Sequence, residues 1–405
     1  MWLKHLSLTN FRNYARLDVD VPNGLLLISG DNGQGKTSLI EAIYFLSAFE
    51  SFHAENDRQL IHFIASRDPL AVARIVADFE TNQNSHRLEV RIIQEKENGN
   101  GNGRLRKEVI YDGVKQKLSE VVGNFKAVIF LPQSLQIIEG SPEERRRFIN
   151  LALSQVLPHY PAILSEYTRA LNQRNALLKQ LNERGGDINE LNFWDNEISQ
   201  LGARLIHARI HALMELEEFA FPLYHQLTHE KEVLRLVYQP SYDPLERPAG
   251  QYTLPVEIQV DRRGIAAEQI QEGFCTQLNK LRLEEIKRGV TTVGPHRDEI
   301  RFLSNGIDLG VYGSRGQVRT AILALKFAEV NWIKKKSGQL PVFLLDEVLA
   351  ELDDQHRQDL LSKLDEFEQA ILTTTDVNLF SQQFLQEVLV WQVKAGQIFP
   401  LKAVY

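Results

Sequence analysis

The residues Gly30-Asp31-Asn32-Gly33-Gln34-Gly35-Lys36-Thr37 constrain this chain more than any other stretch, because they satisfy the pattern G-x-x-x-x-G-K-[ST]. In such a loop the glycines let successive backbone N–H groups curl around phosphate oxygens, and the helix that follows adds the partial positive charge of its N-terminus. Lys36 is then placed to reach the β- and γ-phosphates, and Thr37 to ligate Mg²⁺. A chance match somewhere in a chain this long arises roughly once in a hundred sequences of ordinary composition. The flanks agree with it: the apolar run Leu25 to Ser29 reads as a strand and Lys36 to about Phe49 as a helix. The expected ligands are ATP and Mg²⁺.

A second acidic element complements the loop. Val342-Phe343-Leu344-Leu345-Asp346-Glu347 is a buried-strand run ending in two carboxylates, the place where a parallel strand delivers acids to the edge facing a phosphate loop. Asp346 is the expected Mg²⁺ ligand, directly or through water. Glu347 is the expected general base, since in-line attack on a γ-phosphate needs a carboxylate to take the proton of water. Two acids at a strand end are commonplace alone; beside a phosphate loop they form a pair of matched functions. Upstream lies Tyr312-Gly313-Ser314-Arg315-Gly316-Gln317, followed by helical spacing through Ala321, Leu325, Phe327 and Ala328. A serine and glycine opening a helix make a second phosphate-binding surface. If two copies meet head to tail, Ser314, Gly316 and Gln317 of one complete the nucleotide site of the other.

Composition narrows the remaining classes. Of 405 residues, 43% are hydrophobic and 24% charged, enough to bury a sizeable core and to favour two or three lobes. The lone cysteine, Cys275, has no partner in the chain, which argues for a reducing compartment. Met1 to Asn10 alternates polar and apolar residues like a strand rather than a signal peptide, and no apolar run approaches the roughly 20 residues a membrane helix needs. A cytoplasmic protein without membrane partners is expected. The net charge of −7 excludes a protein that coats nucleic acid over its whole surface, so any DNA contact must be a local basic patch. Arg145-Arg146-Arg147, Arg104 with Arg106 and Lys107, and Lys334-Lys335-Lys336 are the candidates, each more commonly just a solvated face.

The order of signals divides the chain in three. Residues 1–140 are strand-rich and carry the phosphate loop, with the low-complexity run Asn98 to Gly103 reading as a hairpin tip. At Ser141-Pro142-Glu143-Glu144 an N-cap, a first-turn proline and a capping-box glutamate open a helical lobe spanning 141–290. Within it, helical spacing on both sides of Gly185-Gly186 predicts an antiparallel hairpin. A proline-bearing, β-like stretch from Lys231 to Val260 and a helix from about Ala266 to Arg288 complete the lobe. Residues 291–405 return to strand-and-helix alternation with the Ser314 helix and the Asp346 strand. The fold class expected is α/β: a P-loop ATPase head formed from both chain ends, with an inserted, mainly helical lobe.

These motifs together resemble the ABC-type ATPases of the SMC class and, within it, most closely the RecF family of bacterial recombination mediators. The resemblance rests further on Leu8-Thr9-Asn10-Phe11-Arg12-Asn13-Tyr14, on Glu139-Gly140-Ser141-Pro142 leading into the arginine triplet, and on Gly294-Pro295-His296-Arg297-Asp298. It implies an ABC-type head and carries over four softer assignments. Arg12 stands where related heads place a basic residue near the nucleotide, Gln133 in a loop suited to sensing Mg²⁺, and Asp353 in the loop lining a partner's site. Thr373-Thr374-Thr375 ends the strand where transporter ATPases often carry a histidine. His53, Gln133 and Arg315 depart from the family's usual residues. The resemblance also implies a slow, DNA-stimulated ATPase that binds gapped DNA or duplex/single-strand junctions as an ATP-dependent homodimer, and that works with RecR and RecO to load RecA.

Rival readings divide on simple features. An ATPase subunit of another machine, such as a transporter or a DNA-end processing complex, shares the phosphate motifs, but transporter subunits place the signature much nearer the P-loop than Ser314 stands from Lys36. A full-length SMC chain requires hundreds of heptad residues that the insert lacks. A GTP switch is disfavoured because Asn279-Lys280 is followed by Leu281 rather than by the x-Asp of a guanine-recognition motif. A nuclease needs a further acidic metal cluster, and the sequence offers none.

Overall fold

The computed structural model describes residues 1–82, 84–96, 103–245 and 260–401. The expected hairpin tip at Asn98 to Gly103, apart from Gly103, and much of the proline-bearing stretch before Val260 lie outside the described residues. The chain divides into two compact units, Met1–Ser134 with Glu329–Tyr405, and Leu135–Ala328.

The first unit holds two six-stranded sheets. One is antiparallel, in the order Tyr14–Asp20, Trp2–Phe11, Leu70–Glu80, Ser85–Glu95, Arg104–Tyr111, Val114–Gln116. The other is parallel apart from one edge, in the order Gln397–Leu401, Leu389–Lys394, Gly24–Ser29, Gln369–Thr374, Val342–Asp346, Ala127–Phe130. Parallel strands cannot be joined by tight turns, so the five that run parallel come from five separate stretches of sequence. Their central members read as continuous apolar runs, Leu25-Leu26-Leu27-Ile28 and Phe343-Leu344-Leu345, as sheets covered on both faces require.

The helix Lys36–Ala48 packs against both sheets, which explains why it is apolar nearly all round: ten of its residues are buried, from Leu39 through Ser47 in one run. Its Ile40, Ile43 and Phe45 share one core cluster with Leu26 and Ile28 of the parallel sheet and with Leu6, Leu8, Ile75 and Phe79 of the antiparallel one. The buried Gln369 adds a polar stitch, accepting from the Leu3 N–H at 2.7 Å and donating to the Leu3 and Pro22 carbonyls. Phe49 ends the helix in a left-handed conformation, its N–H donating to the Phe45 carbonyl.

The second unit is mainly helical. Pro142–Val156 begins where the sequence signals place it, although Ser141 makes no side-chain cap, so the expected capping box does not form. Tyr160–Arg184 and Leu191–Leu227 form the antiparallel hairpin broken at Gly185-Gly186, its arms 25 and 37 residues long. Ala267–Arg288 packs on both arms. A buried ion cluster ties the three helices: Arg174 donates to Asp195 at 2.7 Å and sits 2.7 Å from Glu285, all three side chains being essentially inaccessible.

The boundary of this unit differs from the one expected at residue 290. Residues 291–328 cluster with the helical lobe. The cause is a strand pairing that local patterning does not reveal: Glu299–Ser304 runs antiparallel to Leu234–Gln239 and to Ile307–Asp308 in a three-stranded sheet. Gly294 to Asp298 serves as the anchor of that pairing. Asp298 is fully buried, paired with Arg209 at 2.9 Å and accepting from Tyr238 and from the Ser241 N–H. His296 receives or donates one hydrogen bond with Tyr167 at 2.7 Å, and burial pushes its pKa down to about 4.

Candidate active site

The loop between the Gly24–Ser29 strand and the Lys36–Ala48 helix adopts a conformation only glycines take easily. Gly33 and Gly35 have φ of 77° and 118°. At Gly35 a Cβ would stand 2.7 Å from Asn13 Nδ2 and 2.9 Å from the Tyr14 hydroxyl, and at Gly30 one would stand 2.5 Å from the Val393 carbonyl oxygen. The loop is therefore clasped from two sides. The buried Tyr14 hydroxyl donates to the Gly35 carbonyl at 3.0 Å, and burial raises its pKa. On the other side the Ala395-Gly396 turn grips Gln34: Ala395 N–H donates to its side-chain oxygen at 2.7 Å and Gly396 N–H to its carbonyl at 3.0 Å.

Four of the expected residues converge on this loop. Lys36 is buried, and its ammonium donates to the carbonyls of Gly30 at 2.8 Å and Asp31 at 3.1 Å. It also lies 3.1 Å from Glu347 Oε1. The Thr37 hydroxyl donates to Asp346 Oδ1 at 3.1 Å. Parallel pairing explains the convergence, since the Gly24–Ser29 and Val342–Asp346 strands flank Gln369–Thr374 on either side and end at the same edge of the sheet. Burial raises the Asp346 pKa; hydrogen bonds from Thr373 and Thr37 oppose that, and the Glu347 charge adds to it. A buried carboxylate beside a hydroxyl is a hard oxygen donor pair of the kind Mg²⁺ takes.

Thr373 was legible only as the end of a strand, yet it organises both acids. Its hydroxyl donates to Asp346 Oδ1 at 2.6 Å and accepts from the Glu347 N–H at 3.0 Å. Glu347 itself sits in the left-handed region, φ 53°, at the start of the Val348–Glu351 turn. A non-glycine residue held there costs on the order of 1–3 kcal/mol, and the Thr373 bond helps to hold it.

The remaining expected residues are placed as follows. Asp353 caps the helix Asp354–Lys363, accepting from the His356 N–H at 2.9 Å, and that bond together with the His356 ring lowers its pKa. Gln133 is exposed in the turn Pro132–Leu135, just beyond the strand that neighbours Val342–Asp346. Arg12 does not extend freely: its guanidinium is bidentate to the buried Glu41 at 2.7 and 2.6 Å and donates to the Gln59 carbonyl at 3.0 Å. In the second unit, Ser314 and Gln317 cap the Arg315–Ser337 helix reciprocally, the Ser314 N–H donating to Gln317 Oε1 at 3.0 Å and the Gln317 N–H to Ser314 Oγ at 3.2 Å. The Gln317 amide also donates to Glu232 at 3.0 Å. Ser314 and Gly316 are exposed, as are Val311 and Tyr312 just before them.

Of the basic clusters, Arg145 is bidentate to Glu299 at 2.6 and 2.8 Å and Arg146 donates to the Asp298 carbonyl at 2.8 Å, so both hold the second unit together. Lys107 pairs with Asp57 at 2.9 Å and Arg106 with Glu95 and Glu108, while Arg104 is exposed. Lys334, Lys335 and Lys336 are exposed in the last turn of the signature helix. Among the described residues no helix is long and apolar enough to cross a membrane.

Comparison with known proteins gives one consistent answer. Residues 2–397 match the family model described as the RecF/RecN/SMC N terminal domain. The DNA replication and repair protein RecF of Roseiflexus castenholzii is 38% identical over 99% of this chain and 100% of its own length. The solved structure of the recombination mediator protein RecF-ATPrS in the RecFOR pathway superposes with a TM-score of 0.82 at 30% identity, covering 99% of this chain and 98% of that one. An Smc head domain from Pyrococcus furiosus shares the fold at a TM-score of 0.51 and 16% identity, over 99% of this chain and 96% of that one. The ABC-type ATPase head, the strand-borne acid pair and the full-length match to RecF proteins converge: this chain belongs to the RecF family, within the larger group defined by the RecF/RecN/SMC N-terminal domain.

Proposed function

We propose that this chain is a DNA-binding ATPase of recombinational repair and replication restart. It binds ATP with Mg²⁺, pairs with a second copy around the nucleotide, holds gapped DNA or a duplex/single-strand junction in that state, and with RecR and RecO helps load the RecA recombinase. The observation that carries the reading is the convergence of Lys36, Thr37, Asp346 and Glu347 on the glycine loop. Support comes from relatives named as DNA replication and repair proteins, and from RecF structures whose names include ATP and the RecFOR pathway.

The chain's residues divide the work. The Gly30–Thr37 loop and the helix behind it cradle the phosphates, Lys36 balances their charge, and Thr37 with Asp346 would hold the metal ion. Bound Mg²⁺ would supply charge neutralisation on the phosphate oxygens. Glu347 takes the proton of the attacking water. Ser314 and Gly316, exposed at a capped helix start, offer a hydroxyl and a backbone N–H to the nucleotide of a second copy, with Asp353 on the loop facing it. Turnover is slow and DNA-stimulated, so hydrolysis times release rather than driving bulk chemistry.

The test compares binding of gapped and plain duplex DNA with and without ATP, beside size-exclusion profiles. Tighter binding to gapped DNA with ATP and an ATP-dependent dimer are expected, both lost in Ser314→Trp. DNA affinity and self-association indifferent to ATP, or to Ser314→Trp, would refute the shared-site reading.

A further inference from the structure

Two large apolar side chains stand out of the first unit where folding gives them no reason to. Phe63 is 70% exposed and Ile64 68%, with Leu70, 59% exposed, close by in sequence. The segment that carries them is not loose. Leu60 is fully buried, Phe11 bridges to Ile61, and the His62 N–H donates to the Asn10 carbonyl at 2.8 Å. Immediately after these anchors the chain turns Phe63 and Ile64 outward, and the short helix Ala65–Arg67 returns it to the strand beginning at Leu70. The exposure is thus enforced by a pinned backbone.

The surroundings are cationic. The Arg67 guanidinium lies 4.5 Å from the centroid of the Phe63 ring, covering one face. Lys96 donates its backbone N–H to the Pro69 carbonyl, which puts it beside Leu70, and Leu70 pairs with Glu95, which pairs in turn with Arg104. Arg58 reaches the Gly103 carbonyl. Arg67, Lys96 and Arg104 are exposed. Of the nearby acids, Glu95 is paired with Arg106 and Asp57 with Lys107, and the exposed Asp68 offsets one charge, so Arg67, Lys96 and Arg104 leave the ledge with an excess of positive charge on a chain whose overall charge is −7.

We infer that this ledge, Phe63 and Ile64 framed by Arg67, Lys96 and Arg104, binds the single-stranded segment of gapped DNA. Charge complementarity selects a polyanion, and an aromatic ring presented by a fixed backbone offers a face on which an unpaired base stacks; duplex bases are already stacked on one another. Rows of cations alone would not distinguish the two. The ledge also hangs from the nucleotide site: Arg12 clamps Glu41 on the P-loop helix and donates to the Gln59 carbonyl, four residues before Phe63. The inference rests on the proposed DNA-binding function and names the strand-contacting surface for it.

Three variants of the full chain, Phe63→Ala, Ile64→Ala and the double change Arg67→Glu with Arg104→Glu, are titrated by fluorescence anisotropy with ATP against gapped and plain duplex DNA across a salt series. Phe63→Ala is expected to weaken gapped-DNA binding about tenfold and duplex binding less than twofold. The double variant is expected to lower the magnitude of the salt slope by about one to two. Unaltered ATP affinity in a fluorescent-nucleotide titration shows that each variant is folded. If the wild type binds gapped DNA but the variants match it in affinity and slope, the ledge serves another partner, such as a protein, and this inference is overturned while the proposed function stands. An equal loss on duplex and gapped DNA overturns the single-strand assignment. Failure of the wild type to bind either DNA would instead overturn the function.

Discussion

The ammonium of Lys36 lies 3.1 Å from the carboxylate of Glu347, so the cation of the phosphate loop is paired with the acid that follows the Val342–Asp346 strand. Lys36 is almost wholly buried, and its other partners are two carbonyls of its own loop. The pair holds the loop cation and the Glu347 carboxylate within reach of one another, and a γ-phosphate placed at Lys36 would compete with Glu347 for it. On the proposed function, nucleotide binding would free Glu347 to act as the base.

Glu347→Gln removes the negative charge and the base while sparing the loop. Phosphate release is expected to fall by about 10²-fold or more, because a positioned general base contributes roughly 10²–10⁴ in rate. ATP affinity should be unchanged or modestly tighter, and the dimer should persist on size exclusion. A proportional loss of affinity and turnover would contradict the assigned role.

Thr373→Val keeps the shape of the side chain but removes the hydroxyl that both donates to Asp346 and accepts from the Glu347 N–H. Loss of two buried partners costs about 1–3 kcal/mol of stability per unsatisfied group. Turnover is expected to drop about tenfold while ATP binding measured in EDTA stays level, and Thr373→Ser should restore most of it. Equal turnover in the valine variant would show that Thr373 positions neither acid.

Asp346 provides a pH signature. Burial raises its folded-state pKa above the ordinary value, so the folded protein holds that proton more tightly than the unfolded chain does. Its contribution to stability is full below the unfolded-state pKa and is lost as pH rises through the folded value, leaving a buried charge at neutral pH. Asp346→Asn, whose carbonyl oxygen still accepts from Thr37 and Thr373, is expected to raise the metal-free melting temperature at pH 7 and to abolish stabilisation by Mg²⁺ with ATP. A lower melting temperature for the variant would reverse the sign argued here.

His296 works in the opposite sense within the second unit. Its pKa is pushed down to about 4 from 6.5, so its contribution is fully present above about pH 6.5 and is lost as pH falls toward 4. The shift corresponds to on the order of 3 kcal/mol. Thermal melts between pH 7 and 4 should show this unit destabilised first, with the acid-side slope reduced in His296→Gln. A slope identical in the variant would assign the acid sensitivity elsewhere.

Much of the site was legible because phosphate chemistry leaves local marks. Glycines at φ values other residues avoid, a lysine and threonine at fixed offsets, and an apolar strand ending in two acids each declare themselves within a few residues. The inserted hairpin was equally plain from its helical spacing. What escaped was whatever depends on distant partners. Thr373 looked like a strand end, the Ala395-Gly396 turn carried no signal of its grip on Gln34, and the pairing of Glu299–Ser304 with Leu234–Gln239 drew residues 291–328 into the helical unit.

The arginines make the same division sharper. Arg12, by resemblance, is expected near the nucleotide, and Arg145 and Arg146 form a candidate basic patch for DNA, yet the fold commits them to Glu41, Glu299 and the Asp298 carbonyl, and it leaves Arg67 and Arg104 outside. Sequence alone fixed which chemistry this chain carries, because loop conformation and strand polarity follow from adjacent residues. Only tertiary structure decided which charges remain available and which hydroxyl aligns the acids, because a charge is neutralised, or a carboxylate aimed, by groups on other elements, tens of positions away or more, that the fold brings together.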